Sequence, residues 1–229
     1  MATLAEPMRA QLPVVGSAHP FLVTRVFCVG RNYAAHAREM GADVREPPFF
    51  FMKPSVAVVD ASRPTSISYP PKTNDLQHEV ELVVAIGTGG RDLDPARALE
   101  HVYGYAIGLD MTRRDLQRHA KDKGQPWEFA KSFLGSAPIG AIHKVSEVGH
   151  LREGAISLSV NGQVRQSSNL SQMTWSVAEC LAQLSAYDAL LPGDLLMTGT
   201  PEGVGKVVRG DVMRGQIAGL ADLAVAIAP

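Results

Sequence analysis

Cysteine is scarce in this chain: Cys28 and Cys180 are the only two among 229 residues. No Cys/His cluster has the spacing of zinc ligands, which argues against a zinc-built fold. Cys28 lies in an apolar run and Cys180 on the apolar face of a predicted helix. Both therefore read as core residues of a protein from a reducing compartment. Excess charge is missing as well. A formal net charge of −1 and a pI near 6.7 lack the basic surplus expected of a nucleic-acid binder. No apolar run approaches membrane-spanning length, and the N-terminus shows no basic segment followed by an apolar one. The expectation is a soluble, cytoplasmic protein with neither a nucleic-acid nor a membrane partner. There is no Walker pattern and no dinucleotide fingerprint, so nucleotide binding is not expected. Repeats, low-complexity tracts and clear linkers are absent too. With 45% apolar residues, the chain can build one substantial core.

What remains is a series of short apolar segments separated by turns. Residues 1–20 carry Pro7, Pro13 and Pro20 without periodicity and read as an irregular arm; 21–229 read as one domain. Phe21 to Val29 predicts a strand leading to Gly30. Tyr33 to Met40 predicts a short helix closed by Gly41. Phe49 to Met52 is a short buried strand stopped by Lys53-Pro54. Asp94-Pro95 opens a helix through about His101, with Asp94 as N-cap. Thr112 caps a second helix, with Asp115 completing a capping box and Gly124 ending it. Ile156–Val160, Asn161-Gly162 and Gln163–Gln166 carry a hairpin signal. Ser176 to Ala186 predicts a helix with the stripe Val177, Cys180, Leu181 and Leu184. Leu195 to Thr198 is a strand feeding a Gly-rich loop that ends at Gly205. Val207–Val212 and Ala218–Ile227 read as closing strands. Helices and strands alternate irregularly, and hairpins dominate late. This favours α+β, with mixed, largely antiparallel sheets and a few short helices, over a doubly wound fold.

The segment His78-Glu-Val-Glu-Leu-Val-Val-Ala-Ile86 reads as a strand. Alternation puts Glu79 and Glu81 on one face and Val80, Leu82 and Val84 on the other. Two neighbouring carboxylates on a half-buried strand repel each other unless a cation or proton lies between them. Glu alternating with Val also describes a strand with one wet face. A third carboxylate weighs against that. Tyr103 to Leu109 predicts a further strand, and Asp110 follows at its C-terminal edge. Glu79, Glu81 and Asp110 form an all-oxygen set, which suits Mg²⁺, Mn²⁺ or Ca²⁺ rather than zinc.

Other candidates are weaker alone. His36 and Glu39 lie three apart on the predicted short helix, as a base and its orienting partner would, or as two solvated neighbours. Lys131 follows Trp127-Glu-Phe-Ala130; it either snorkels at the surface or balances the acidic cluster. Gln117 is a polar contact or an exposed side chain. The loop around Thr200 could present N–H groups and a hydroxyl to a carboxylate. Trp127 and Trp175 read as core anchors.

Taken together, several stretches resemble the fumarylacetoacetate hydrolase superfamily. They are Gly30-Arg-Asn-Tyr-Ala-Ala-His-Ala-Arg-Glu39, Pro47-Pro-Phe-Phe-Phe-Met-Lys-Pro54, His78-Glu-Val-Glu-Leu82 and Gly108-Leu-Asp-Met-Thr-Arg-Arg-Asp-Leu-Gln117. Lys131-Ser-Phe133, Ala137-Pro-Ile-Gly140, Val160-Asn-Gly162, Pro192-Gly-Asp194 and Thr198-Gly-Thr-Pro-Glu-Gly-Val-Gly205 follow in the family's order. The resemblance implies layered α+β sheets in a single catalytic domain over 21–229, as in the short members that include the fumarylpyruvate and acylpyruvate hydrolases. It implies a homodimer. It implies a divalent metal, typically Mg²⁺, on Glu79, Glu81 and Asp110. It implies a lid helix bearing His36 and Glu39, catalytic together with Lys131, and substrate contacts from Arg31, Gln117 and Thr200. The implied reaction is hydrolysis of a C–C bond in a 1,3-dicarbonyl acid. The alternatives on the same site are decarboxylation of oxaloacetate and isomerisation of a dienoate diacid.

Overall fold

The computed structural model describes residues 9–35 and 46–229. At its centre lies a mixed sheet whose strands run in the spatial order Phe49–Lys53, Val26–Gly30, Leu195–Met197, Val80–Ile86, Val102–Leu109, Ala137–Ile139 and Val58–Asp60. His143–Lys144 pairs beside Val102–Leu109. A second sheet runs Gln163–Asn169, Ala155–Val160, Val212–Ile217, Leu223–Ile227 and Thr65–Ile67. Most pairings are antiparallel. The exceptions are Leu195–Met197 with Val26–Cys28, Ala137–Ile139 with Val58–Asp60, and Val225–Ile227 with Thr65–Ile67. The α+β expectation with layered, mainly antiparallel sheets holds.

Alternation along Val80–Ile86 explains how the layers pack. Val80, Leu82, Val84 and Ile86 enter the core shared with the second sheet and the helix Val177–Tyr187. Val83 and Ala85 enter a second core, which also contains Leu12, Val14 and Val23. The strand is buried on both faces, so a wet carboxylate face is overturned. Residues 9–20 are mostly irregular, yet Gln11–Leu12 pairs with Phe21–Leu22, and Val14 bridges to Ile142.

The hairpin Ala155–Val160/Gln163–Asn169 and the helix Val177–Tyr187 form as expected. The helix carries a full capping box between Ser176 and Glu179, and Val177, Cys180, Leu181 and Leu184 are buried. Elsewhere tertiary pairing overrides local signals. The strand expected from His78 to Ile86 breaks at Glu79, because Leu76–His78 belongs to a third sheet with Thr112–Arg113 and Gly205–Val207. Thr112 caps nothing. It pairs with Gln77, and its hydroxyl donates to the Asp110 carbonyl. Asp115 instead accepts bonds from the Thr73 hydroxyl and the Asn74 N–H. The helix spans Arg114–Lys123 and does close at Gly124. The helix expected from Asp94 shrinks to a 3₁₀ turn at Ala98–His101, although Asp94 Oδ1 does take the Ala96 N–H as an N-cap would. Phe21–Val29 is two strands, Phe21–Leu22 and Val26–Gly30. Val207–Val212 is not one strand: Asp211 closes a turn by accepting the Val208 N–H, and the chain changes sheets there.

One family motif serves the scaffold. Asp194 is fully buried. It accepts from Arg25 Nε at 3.0 Å and Nη2 at 2.6 Å, from the Thr24 hydroxyl at 2.8 Å and from the Leu191 N–H at 2.8 Å. Removing one partner of such a pair strands the rest, at a cost of about 3 kcal/mol. Asp194→Ala is expected to lower the melting temperature by roughly 6–12 °C in thermal denaturation, with metal affinity unchanged in the folded protein. A shift of under 2 °C would show the network to be dispensable.

Candidate active site

The three predicted carboxylates converge. One oxygen from each of Glu79, Glu81 and Asp110 lies within 4.8 Å of the others. All three are buried, at 4%, 2% and 1% exposure. Glu79 occupies the break between two strands, Glu81 lies two residues on, and Asp110 ends the neighbouring strand. The Asp110 N–H donates to the Glu79 carbonyl at 2.8 Å, which fixes the two main chains side by side.

Cations surround two of the three acids. Lys131, 2% exposed, reaches Glu79 Oε2 at 2.7 Å and Asp110 Oδ2 at 2.8 Å. Lys53 reaches Asp110 Oδ1 at 2.8 Å. Arg114 is ion-paired with Glu79 Oε1 and also donates to the Gln117 amide oxygen. Burial alone would lower the Lys131 pKa, but Asp110 and Glu79 lift it above the usual lysine value, so the ammonium stays charged.

Glu81 differs. Its polar partner is the Gly199 N–H, at 2.8 Å from Oε2. Among the described residues no lysine or arginine forms an ion pair with it. Burial, and then the charges of Asp110 and Glu79, push its pKa well above the carboxylate range. Lys131 and the Gly199 N–H only partly oppose this. A buried carboxylate with no ion pair among the described residues calls for a proton or a cation. Three convergent oxygens with this deficit fit a hard divalent metal.

The carboxylates line a cavity with Arg31, Phe49, Phe51, Arg114, Gln117, Trp127, Lys131 and Thr200. Phe49 and Phe51 meet Trp127 edge-on, with ring centroids 5.3 and 6.0 Å apart. Arg31 adopts a left-handed backbone (φ 57°), and its guanidinium lies 5.2 Å from the Phe49 centroid. Thr200 lines the cavity, while its hydroxyl donates to the Val80 carbonyl. The Gly-rich loop does present an N–H to a carboxylate, but that carboxylate is Glu81. Gly199 has φ +91°, and a Cβ there would lie 2.7 Å from the Asn32 Cβ, so the close approach requires glycine.

The family model for the fumarylacetoacetate (FAA) hydrolase C-terminal domain matches residues 25–228. The chain belongs to the fumarylacetoacetate hydrolase family. A fumarylpyruvate hydrolase from Ralstonia sp. is 45% identical over 184 residues, covering 80% of this chain and 94% of the relative. A mitochondrial oxaloacetate tautomerase from Homo sapiens is 40% identical over 198 residues, covering 86% and 89%. A crystal structure of fumarylpyruvate hydrolase from Pseudomonas aeruginosa, in complex with Mn²⁺ and pyruvate, superposes with a TM-score of 0.96 at 53% identity. It covers 100% of this chain and 99% of that one.

Within this family fold, Glu79, Glu81, Asp110, Lys131, Gln117, Arg31 and Thr200 meet at one cavity. His36 and Glu39 lie outside the described residues, as does most of the predicted lid helix. Three readings are corrected. Lys131 is no snorkelling surface residue, and Gln117 is 4% exposed because Arg114 holds it against the acids. Trp127 and Trp175 are only half-buried; Trp127 forms a cavity wall. Lys53 and Arg114 were not singled out as site residues. The signal for Lys53 is phase: Phe49, Phe51 and Lys53 alternate onto one face. For Arg114 it is spacing, three residues before Gln117 on one helix face.

Proposed function

We propose that this protein is a metal-dependent hydrolase of an acylpyruvate, with fumarylpyruvate as the leading substrate, releasing pyruvate and a carboxylic acid. The observation that carries this reading is the buried Glu79/Glu81/Asp110 set, in which Glu81 forms no ion pair among the described residues, in a cavity flanked by Lys131 and Arg114. The names of the Ralstonia relative and of the Pseudomonas structure point the same way.

Glu79, Glu81 and Asp110 would hold Mg²⁺, with Mn²⁺ or Ca²⁺ as alternatives. A divalent ion there supplies Lewis acidity toward the oxygens of a 2-keto acid. His36, oriented by Glu39, takes a proton from water, and the water oxygen adds to the distal carbonyl carbon. The bond from that carbon to the pyruvate methylene then breaks, and its electron pair leaves on the pyruvate unit as an enolate, which is protonated to pyruvate. Lys131 holds positive charge beside the developing enolate. Arg31, Gln117 and Thr200 position the substrate's polar ends, and Phe49, Phe51 and Trp127 screen it from water.

The test is a panel of fumarylpyruvate, acetylpyruvate and oxaloacetate with Mg²⁺, following pyruvate release. Preference for an acylpyruvate supports the hydrolase. Pyruvate release from oxaloacetate alone would move the assignment to a decarboxylase, the activity in the name of a Dictyostelium discoideum relative.

A homodimer belongs to the same proposal. The C-terminal strand already finds cover within the chain, since Leu223, Val225 and Ile227 are buried. The support lies instead in Phe129 and Leu134, which are 83% and 77% exposed on the segment that carries Trp127 and Lys131. Light scattering is expected to give twice the 24.5 kDa chain mass; a monomer mass would count against it. Among the described residues no helix is long and apolar enough to cross a membrane.

A further inference from the structure

Gln166 is fully buried in a strand that otherwise looks wet. Around it, Gln163, Val164, Arg165 and Ser167 are all exposed. The cause is a break in register. Leu158 faces Gln166 across the hairpin, but the next residue, Ser159, faces Val164, so Arg165 is an extra residue in the strand. Val164 and Gln166 have the same parity in sequence yet emerge on opposite faces. Such bulges re-aim a side chain. Here the bulge turns one amide inward, toward the acids.

Each polar atom of that amide is used. Gln166 Oε1 accepts from the Val80 N–H at 3.1 Å and lies 2.9 Å from His78 Nδ1. Gln166 Nε2 donates to the Thr200 hydroxyl and to the Pro201 carbonyl, both at 2.8 Å. His78 and Val80 are the chain neighbours of Glu79. Thr200 follows Gly199, whose N–H holds Glu81. One side chain therefore ties the strand break that presents Glu79 to the loop that holds Glu81.

The amide's orientation follows from its partners. A main-chain N–H can only donate and a carbonyl can only accept, so Oε1 must face Val80 and Nε2 must face Pro201. His78 Nδ1 must then carry a proton, and Nε2 is a buried lone pair with no donor among the described residues. The bulge is braced from the loop side as well. Gly203 has φ +89°, and a Cβ there would lie 2.0 Å from the Arg165 carbonyl oxygen. Only a glycine lets the loop rest on the bulge.

We infer that Gln166 is a positioning residue for the metal carboxylates, acting from the second sheet through His78, Val80 and the Thr200 loop. It touches neither metal nor substrate. The inference rests on the metal reading above. Groups that orient metal ligands typically change affinity by roughly 10–100-fold when removed.

The test uses the whole protein and Mn²⁺ as the probe. Calorimetric titration of Gln166→Met and Gln166→Asn is expected to show Mn²⁺ binding weakened by roughly 10–100-fold, in protein whose metal-free circular dichroism matches wild type. Gln166→Asn keeps an amide that is one methylene too short to reach both strand and loop, and it serves if Gln166→Met does not fold. In wild type, long-range ¹⁵N–¹H correlation spectra of metal-free protein should show His78 as the Nδ1–H tautomer. A lower melting point with unchanged Mn²⁺ affinity would reduce Gln166 to a scaffold residue and overturn the inference. An Nε2–H tautomer would overturn the bonding that carries it. If wild type itself took up no Mn²⁺, the metal reading would fall, and the inference with it.

Discussion

Glu81→Gln should nearly abolish turnover while leaving the protein folded. The substitution keeps the side chain's shape and its bond from the Gly199 N–H, but it removes an anionic oxygen that has no ion-pair partner among the described residues. Lewis-acid stabilisation is worth several kcal/mol, so losing the ion should cost on the order of a thousandfold in rate. The metal-free protein should respond in the opposite direction. Burial and the charges of Asp110 and Glu79 raise the Glu81 pKa in the folded state. A group with a raised folded-state pKa binds its proton more tightly folded than unfolded. Its favourable contribution is therefore present at low pH and is lost as pH rises through the folded value. Glutamine resembles the protonated acid at every pH. In EDTA at neutral to alkaline pH, Glu81→Gln should melt above wild type. Wild-type activity of this variant at low micromolar Mg²⁺ would mean that the metal is held elsewhere.

His36→Ala is the second large effect. If His36 deprotonates the attacking water, its loss should lower kcat on an acylpyruvate by about 10²–10⁴-fold. Mn²⁺ affinity should not change, because the carboxylates are untouched. Decarboxylation of oxaloacetate forms the same enolate without an attacking water, so it should suffer far less. The measurement is kcat on both substrates at saturating Mg²⁺. An equal loss on both would make His36 a residue that closes the site. No loss on the acylpyruvate would remove the proposed base.

The carboxylate set was legible because strand periodicity is local. Two glutamates in phase and an aspartate at a strand's end can be read without knowing what they pack against. Lys131 was legible as a candidate but not as a buried residue, because its partner Glu79 is 52 residues away; Gln117 is held by Arg114, itself tied to the distant Glu79. Thr112 misled because its capping signal is local while its strand partner, Gln77, is distant. The segment Gln163–Asn169 hid Gln166 completely. An extra residue in a strand reverses the facing of everything beyond it, and nothing in a polar stretch marks where that residue falls.

The strand Phe49–Lys53 is an edge of the large sheet among the described strands, and it sends Phe49 and Phe51 into the cavity wall. Glu81 rides instead on an interior strand, Val80–Ile86, with neighbours on both sides. Changes at an edge are absorbed by one neighbour; changes at the interior disturb two. The aromatic wall of the cavity thus lies where substitution disturbs the framework least. Glu81 is bound to the framework. On the proposed function, such a separation would let one scaffold serve relatives named for different 2-keto acids without rebuilding the carboxylate set.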